Sequence, residues 1–171
     1  MTQLTVDLAL FERCYRTTGA VLDAVPADRW EAPSPCHEWT VRDVADHLVE
    51  ALGAIAGMLT GEPVGGDFRE VTRRCLAAFA DPAALAAEYD SPAGPMTGRA
   101  AADISLSESL VHGWDLATGA GLRYDPDPEV VAVVAGFPEG PSVPGFFADP
   151  VPVPADAPRF VALLGRLGRV A

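Results

Sequence analysis

The chain has 171 residues, 49% of them hydrophobic and 21% charged, a composition typical of a globular domain rather than of a disordered or fibrous chain. Acidic residues outnumber basic ones by 24 to 12, and the net charge of −12 argues against nucleic acid or an anionic membrane surface as a partner. No apolar stretch approaches the roughly 20 residues that cross a bilayer, and the N-terminus lacks a basic signal-peptide start, so we expect a cytoplasmic protein with no membrane partner.

The cysteines do not form a recognisable framework. Cys14, Cys36 and Cys75 are odd in number, widely spaced and without a CxxC pair. Such a set argues against structural disulfides and against a zinc site built from thiolates. We expect three reduced cysteines, with Cys36 most simply a buried thiol rather than a nucleophile.

The N-terminal segment carries a helical stripe. Apolar residues recur at spacings of three and four from Leu4 to Val25, which predicts an amphipathic helix that ends near Pro26. The next stretch is interrupted by prolines and cannot continue the helix. We predict an ordered loop there, with Trp30 and Trp39 turned inward.

The second predicted helix has both ends marked in the sequence. Thr40 and Asp43 form a capping-box pattern, and Gly61 followed by Pro63 marks the end. The apolar face between these ends includes His47. The pattern therefore predicts an imidazole on the side of the helix that faces the core.

Two more long helices are predicted further along the chain. A third spans residues 68–79, is broken at 81–82 and resumes through Tyr89. A fourth runs from about Arg99 to Thr118 and is followed by glycines. Its predicted apolar arc consists of Ile104, Leu110, Val111 and Trp114, with Glu108 and His112 at the edge.

The C-terminal part is rich in proline. A weaker helix is predicted over residues 129–137, irregular chain over the prolines that follow, and a short last helix from Arg159 to near Gly168. We find no set of strands and no internal repeat. The sequence thus predicts an all-α fold, a four-helix bundle with a Pro-rich C-terminal extension and a short terminal helix, in a single domain over residues 1–171.

One pair of side chains in the fourth helix suggests a metal site. Glu108 and His112 are four residues apart and can present an oxygen and a nitrogen to a common point. A bundle would bring His47 opposite them, and two imidazoles with one carboxylate leave coordination positions open for water or substrate. The alternatives are a chance pair on a solvated face and a hydrogen-bonded core histidine.

Three segments also carry a family resemblance: APSPCHEWTVRDVADHLVE at 32–50, LSESLVHGWDLATG at 106–119, and FADPVPVPADAPRFVALLGRLG at 147–168. They resemble the actinobacterial branch of the DinB/YfiT-like superfamily, which contains mycothiol-dependent maleylpyruvate isomerase and its small single-domain metal-binding relatives. The resemblance implies a four-helix bundle that binds a divalent metal through the histidine of the HL step and the acid and histidine of the ExxxH step. These positions fall on His47, Glu108 and His112.

Two departures from the family pattern limit what the resemblance implies. The two-domain isomerases carry a further C-terminal domain, for which we expect no room in this chain, so their substrate is not carried over. His37 replaces the proline that relatives usually show between the cysteine and the glutamate of the PCHEW stretch. A histidine in such a loop is more often exposed or capping than a metal ligand.

Several other side chains have two interpretations each. Asp115 either accepts a hydrogen bond from the His112 imidazole or binds backbone and solvent. Trp114 is expected to pack in the core, and the alternative is that it forms a wall of the pocket. Arg73 and Arg74 are expected on a solvated face, with contact to an anionic substrate as the alternative.

The leading functional hypothesis is a metal-dependent enzyme of thiol chemistry. A divalent ion, zinc first with nickel, iron and manganese as alternatives, would activate a low-molecular-weight thiol such as mycothiol for attack on a small electrophile in transfer or isomerisation. The alternatives are a metal-dependent hydrolase and a non-catalytic metal-binding module. A homodimer is allowed, but no heptad seam requires it.

Overall fold

The computed structural model describes residues 4–138 and 148–171, and these residues are almost entirely helical. The elements, in chain order, are α1 (Leu8–Ala24), α2 (Val41–Thr60), α3 (Phe68–Phe79), α4 (Pro82–Ala86), β1 (Glu88–Tyr89), β2 (Met96–Thr97), α5 (Gly98–Ala120), α6 (Pro128–Ala135) and α7 (Arg159–Arg166). The predicted all-α fold is confirmed. None of the helices in the described segments has the length and apolarity needed to cross a membrane.

Four helices form the bundle. Each packs against two neighbours in the cyclic order α1, α5, α2, α3, while α6 lies on α5 and α7 on α6. The core between them is made mainly of aliphatic side chains, together with Phe11, Phe68 and Phe79. Its largest fully buried members are Phe79, Leu48, Leu52, Leu85, Leu106, Leu110, Leu116, Leu164, Val41, Val44, Val71 and Val130.

The helix α5 is buried on most of its circumference because α1, α2 and α6 all contact it. Small side chains such as Ala101 and Ser105 permit the close approach, and Ser105 hydrogen-bonds Tyr15 of α1 at 2.8 Å. The predicted apolar arc was wrong at Ile104, which is 42% exposed. Ile104 lies on the part of the circumference that these neighbouring helices leave open to solvent.

The ends of α2 agree with the prediction. The Thr40 side chain accepts a hydrogen bond from the Asp43 backbone, the Asp43 side chain accepts one from the Thr40 backbone, and Gly61 closes the helix in the left-handed conformation. The start of α1 was predicted too early. Asp7 caps this helix by accepting from the Leu10 backbone, so the apolar stripe extends beyond the helix into the preceding chain.

Two features of the connecting segments correct the prediction. The chain after Pro82 forms only a short helix and then a hairpin, in which Glu88 pairs with Thr97 and Tyr89 with Met96, so a small antiparallel pair replaces the expected helix and loop. Trp39 is 36% exposed rather than turned inward. Trp30 is half-buried beneath the Arg42 guanidinium, whose Cζ lies 5.5 Å from the ring centroid.

The described part of the Pro-rich segment, residues 148–158, has no helix or strand, as predicted. It runs beside α7, where the Val151 backbone donates to the Gly165 carbonyl at 2.9 Å. The rest of that prediction, over residues 139–147, lies outside the described residues. After α7 the last residues of the chain run back towards α5. There the Arg169 side chain hydrogen-bonds Asp115 of α5.

Candidate metal centre

The three predicted ligands lie on two helices that pack against each other. His47 is on the second turn of α2, which the capping box fixes at its start. Glu108 and His112 lie one turn apart near the middle of α5. Because α2 and α5 are in extensive contact, the side chains of both helices meet at one edge of the bundle.

Glu108 is the centre of the cluster. Its Oε2 atom lies 3.1 Å from Nε2 of His47 and 3.3 Å from Nε2 of His112. The two imidazoles face each other edge-on, with ring centroids 5.1 Å apart. Two nitrogen donors and one oxygen donor thus converge on a single region.

These distances fit coordination of one ion. Ligand atoms about 2.1 Å from a common metal are separated by about 3.0 Å at octahedral angles and about 3.4 Å at tetrahedral angles. The two separations from the Glu108 oxygen fall within this interval. A donor set of two imidazoles and one carboxylate suits zinc, iron, nickel and manganese.

The other nitrogen of His112 is held by Asp115. Nδ1 of His112 lies 2.8 Å from Oδ2 of Asp115, a fully buried carboxylate. An ionised carboxylate only accepts hydrogen bonds, so Nδ1 carries the proton and donates it. This hydrogen bond fixes the orientation of the ring and assigns Nε2 to the side of Glu108 and His47.

The cluster also shifts the protonation of its members. Burial raises the pKa of the Glu108 carboxyl, but hydrogen bonds from His112 and His47 outweigh burial and bring this pKa to about 2. Burial lowers the pKa of His112, but hydrogen bonds with Asp115, Cys36 and Glu108 raise it well above its usual value. Glu108 is therefore a carboxylate at neutral pH, and a cation binding here takes the place of the proton on Nε2 of His112.

A second group of donors shares His112. Cys36 Sγ lies 3.1 Å from Asp115 Oδ2 and 3.9 Å from Nδ1 of His112. The Arg169 guanidinium already occupies this side, 2.8 Å from the Asp115 carboxylate and 3.2 Å from the sulfur. Since a cation is in place, a metal ion is favoured on the Nε2 side of His112 instead.

The side of the cluster that faces Nε2 of His112 reaches the surface at His47. The side chain of His47 is 37% exposed, compared with 19% for Glu108 and 9% for His112. Trp39 lies beside the opening, with its ring centroid 4.8 Å from that of His47. The turn that carries Trp39 holds Glu38 in the left-handed region, at φ 66°, a conformation that a residue other than glycine adopts at an energetic cost.

The structure brings together all three residues selected from the sequence and adds two more. Of the two interpretations of Asp115, the structure supports the hydrogen bond with the His112 imidazole. His37 is exposed and belongs to neither donor group found among the described residues. Cys36 was expected to be an inert buried thiol, but it lies half-buried against Asp115. Arg169 was missed because no local spacing connects a tail arginine with a helix 54 residues earlier.

The fold and this cluster define a class of protein: an all-α four-helix bundle with a histidine and carboxylate cluster at one edge. Residues 11–73 match the family model of the mycothiol maleylpyruvate isomerase N-terminal domain. Two curated relatives are each 32% identical over 95% of this chain and 97% of their own length. They are the uncharacterized proteins MT0763 and Rv0738 of Mycobacterium tuberculosis, from strains CDC 1551 and H37Rv.

The chain belongs to the mycothiol maleylpyruvate isomerase-like family of the DinB/YfiT-like superfamily, and the resemblance seen in the sequence is confirmed. The family match covers most of α1, all of α2 and the first half of α3, including His47. The relatives extend the similarity to 95% of the chain, which includes the segment that contains Glu108 and His112. No solved structure matches the chain.

Proposed function

We propose that the protein binds a divalent metal ion through His47, Glu108 and His112 and uses it to activate a low-molecular-weight thiol, mycothiol, for attack on a small electrophile. The observation that carries the proposal is the convergence of three donor atoms from α2 and α5 at metal-ligand separations. Membership of the mycothiol-related family supports the choice of thiol.

A bound divalent cation lowers the pKa of a coordinated thiol, so that thiolate is available at neutral pH. The protein residues prepare the site for this chemistry. Glu108 supplies a negative charge that partly neutralises the cation, and Asp115 keeps the His112 ring turned so that Nε2 faces the site. The exposed edge at His47 and Trp39 gives a small molecule access to the open side.

A metal-dependent hydrolase of the same fold is the weaker alternative. Hydrolysis would require a carboxylate free to act as general base beside the metal ligands. Asp115 is a further carboxylate that contacts a member of the cluster, and it is already bound by both His112 and Arg169. The remaining alternative is a non-catalytic module that binds metal without turnover.

Elemental analysis of untagged protein, purified without chelator, tests the metal site. We expect about one equivalent of a divalent metal in the wild type and loss of that metal in Glu108→Ala. Glu12→Ala is the matched control, because Glu12 is an exposed α1 residue that contacts Arg16. Equal metal content in wild type and Glu108→Ala would refute the proposed ligand set.

Calorimetry and turnover test the thiol chemistry. We expect mycothiol to bind the metal-loaded protein and not the His112→Ala variant, and conversion of an electrophile panel to vanish in both His47→Ala and His112→Ala. His37→Ala is the control, since that exposed histidine lies outside the cluster. Metal binding without thiol binding would remove the thiol from the proposal, and metal and thiol binding without turnover would favour the non-catalytic module.

A further inference from the structure

Arg169 lies in the C-terminal tail, three residues after the end of α7, yet its side chain is only 11% exposed. The tail is anchored locally. The Arg169 backbone donates to the Leu164 carbonyl at 2.8 Å, and its Nη1 donates to the Leu167 carbonyl at 2.8 Å. These contacts direct the rest of the guanidinium away from α7 and towards α5.

The guanidinium holds Asp115 at two points. Nη2 donates to Oδ2 at 2.8 Å and Nε donates to Oδ1 at 3.3 Å, so both carboxylate oxygens are bound. A two-point contact fixes the plane of a carboxylate, which a single point charge does not do. Oδ2 is the same oxygen that accepts the proton of His112 Nδ1.

Cys36 completes this arrangement. Its thiol donates to Oδ2 of Asp115 at 3.1 Å and accepts from Nη2 of Arg169 at 3.2 Å. Three donors thus surround a carboxylate that has no contact with solvent. Of these three donors, His112 is itself a proposed metal ligand and Cys36 is a neutral thiol. Arg169 is the donor that brings a positive charge from outside the ligand set.

We propose that Arg169 is a positioning residue of the metal centre, which acts on His112 through Asp115. This inference rests on the proposed function, because His112 is taken as a metal ligand. The arginine fixes the carboxylate plane, the carboxylate fixes the imidazole ring, and the ring then directs Nε2 towards Glu108 and His47. The C-terminal tail is therefore part of the site, although it lies outside the bundle.

Metal affinity in three variants tests the proposal. We expect Arg169→Met to weaken Zn²⁺ binding by about 10–100-fold, the usual effect of removing a group that orients a metal ligand. Arg169→Lys keeps the charge without the two-point contact and should give an intermediate loss. Arg166→Met is the matched control, since Arg166 is the last residue of α7 and its side chain, among the residues described, hydrogen-bonds only the Ala135 carbonyl.

The double variant distinguishes positioning from general stability. If Arg169 acts through Asp115, then Arg169→Met should weaken Zn²⁺ binding much less in an Asp115→Asn background than in the wild type. An equal loss in both backgrounds overturns the proposal, as does a wild-type affinity in Arg169→Met. A lower melting temperature of the metal-free variant with unchanged affinity identifies a merely structural role and also overturns it.

A second readout does not depend on metal. The proton on His112 Nδ1 is buried and hydrogen-bonded, so it should give a slowly exchanging downfield NMR signal, assigned by its loss in His112→Ala. We expect Arg169→Met to shift or abolish this signal and Arg166→Met to leave it unchanged. If the wild type binds no metal, the proposed function is refuted, but the NMR signal still tests the positioning role. An unchanged signal in Arg169→Met overturns that role.

Discussion

His112 uses its two ring nitrogens for different tasks. Nδ1 donates to the buried carboxylate of Asp115 at 2.8 Å, and Nε2 faces Glu108 at 3.3 Å. The hydrogen bond to Asp115 fixes the orientation of the ring. The position of Nε2 is therefore set before a metal ion binds. Preorganisation of this kind strengthens metal binding without an additional ligand.

Trp39 offers a direct probe of the open side of the cluster. Its ring centroid lies 4.8 Å from that of His47 and 6.3 Å from that of His112. We expect Ni²⁺, an ion that quenches nearby indoles, to lower the intrinsic fluorescence and to saturate at one equivalent. Trp39→Phe should remove this response, and Trp30→Phe, which alters the indole beneath Arg42, should retain it. Quenching that persists in Trp39→Phe would place the ion elsewhere.

At the residue scale, the sequence predicts side chains that share a helix better than those that meet across the fold. The spacing of Glu108 and His112 predicts their proximity because helix geometry fixes it. His47 required the further assumption of a bundle. Arg169 could not be predicted, because its contact with Asp115 depends on the path of the tail after α7, which no periodicity encodes.

The helix α2 carries His47, so its stability bears on the site. Thr40→Ala removes the side-chain acceptor of the capping box and should lower the free energy of unfolding by about 0.5–2 kcal/mol. Thr40→Ser keeps the hydroxyl and should remain close to the wild type. Urea denaturation measures both. An unchanged midpoint in Thr40→Ala would show that the cap does not stabilise this helix.

The close contact of α5 with α1 depends on Gly113. A Cβ atom at this position would lie 2.6 Å from Thr18 Oγ1 and 2.7 Å from the Tyr124 hydroxyl. Gly113→Ala should therefore destabilise the protein by about 1–3 kcal/mol through overpacking, despite the better helix propensity of alanine.

Gly136→Ala is the control for this overpacking. Its Cβ would lie 3.5 Å from the nearest atoms, an ordinary contact distance. Its effect on thermal stability should be small. A Gly113→Ala variant as stable as the wild type would show that α1 and α5 separate without cost.

At the element scale, helix ends were predictable where a side chain marks them. Both ends of α2 could be predicted, from Thr40 and Asp43 at its start and Gly61 at its end, because capping is a local interaction. The start of α1 was predicted too early because Leu4 continues the apolar stripe beyond the Asp7 cap. The hairpin at Glu88 and Met96 has two residues in each strand, too few for alternation to show.

At the scale of the whole molecule, the bundle and the tail have separate roles. The cyclic packing of α1, α5, α2 and α3 places His47 opposite Glu108 and His112. Four apolar stripes predict that a bundle forms, but they leave open which helices are neighbours. The tail then adds a contact to the far side of His112 through Asp115, so distant parts of the chain meet around one imidazole.

A metal held by both α2 and α5 should stabilise the whole bundle. An ion that binds only the folded chain adds about 2.7 kcal/mol when its concentration is 100 times the Kd. For a chain of this size, we expect EDTA to lower the melting temperature of metal-loaded protein by about 5–10 °C. Differential scanning calorimetry measures this shift.

Two variants show whether this stabilisation comes from the cluster. Glu108→Ala should melt at the same temperature with and without EDTA, because it lacks the ligand that joins the two imidazoles. Glu12→Ala, altered on the exposed face of α1, should keep the full shift. If EDTA shifts Glu108→Ala as much as Glu12→Ala, the ion stabilises the fold from another site, and the link between α2 and α5 through a metal is refuted.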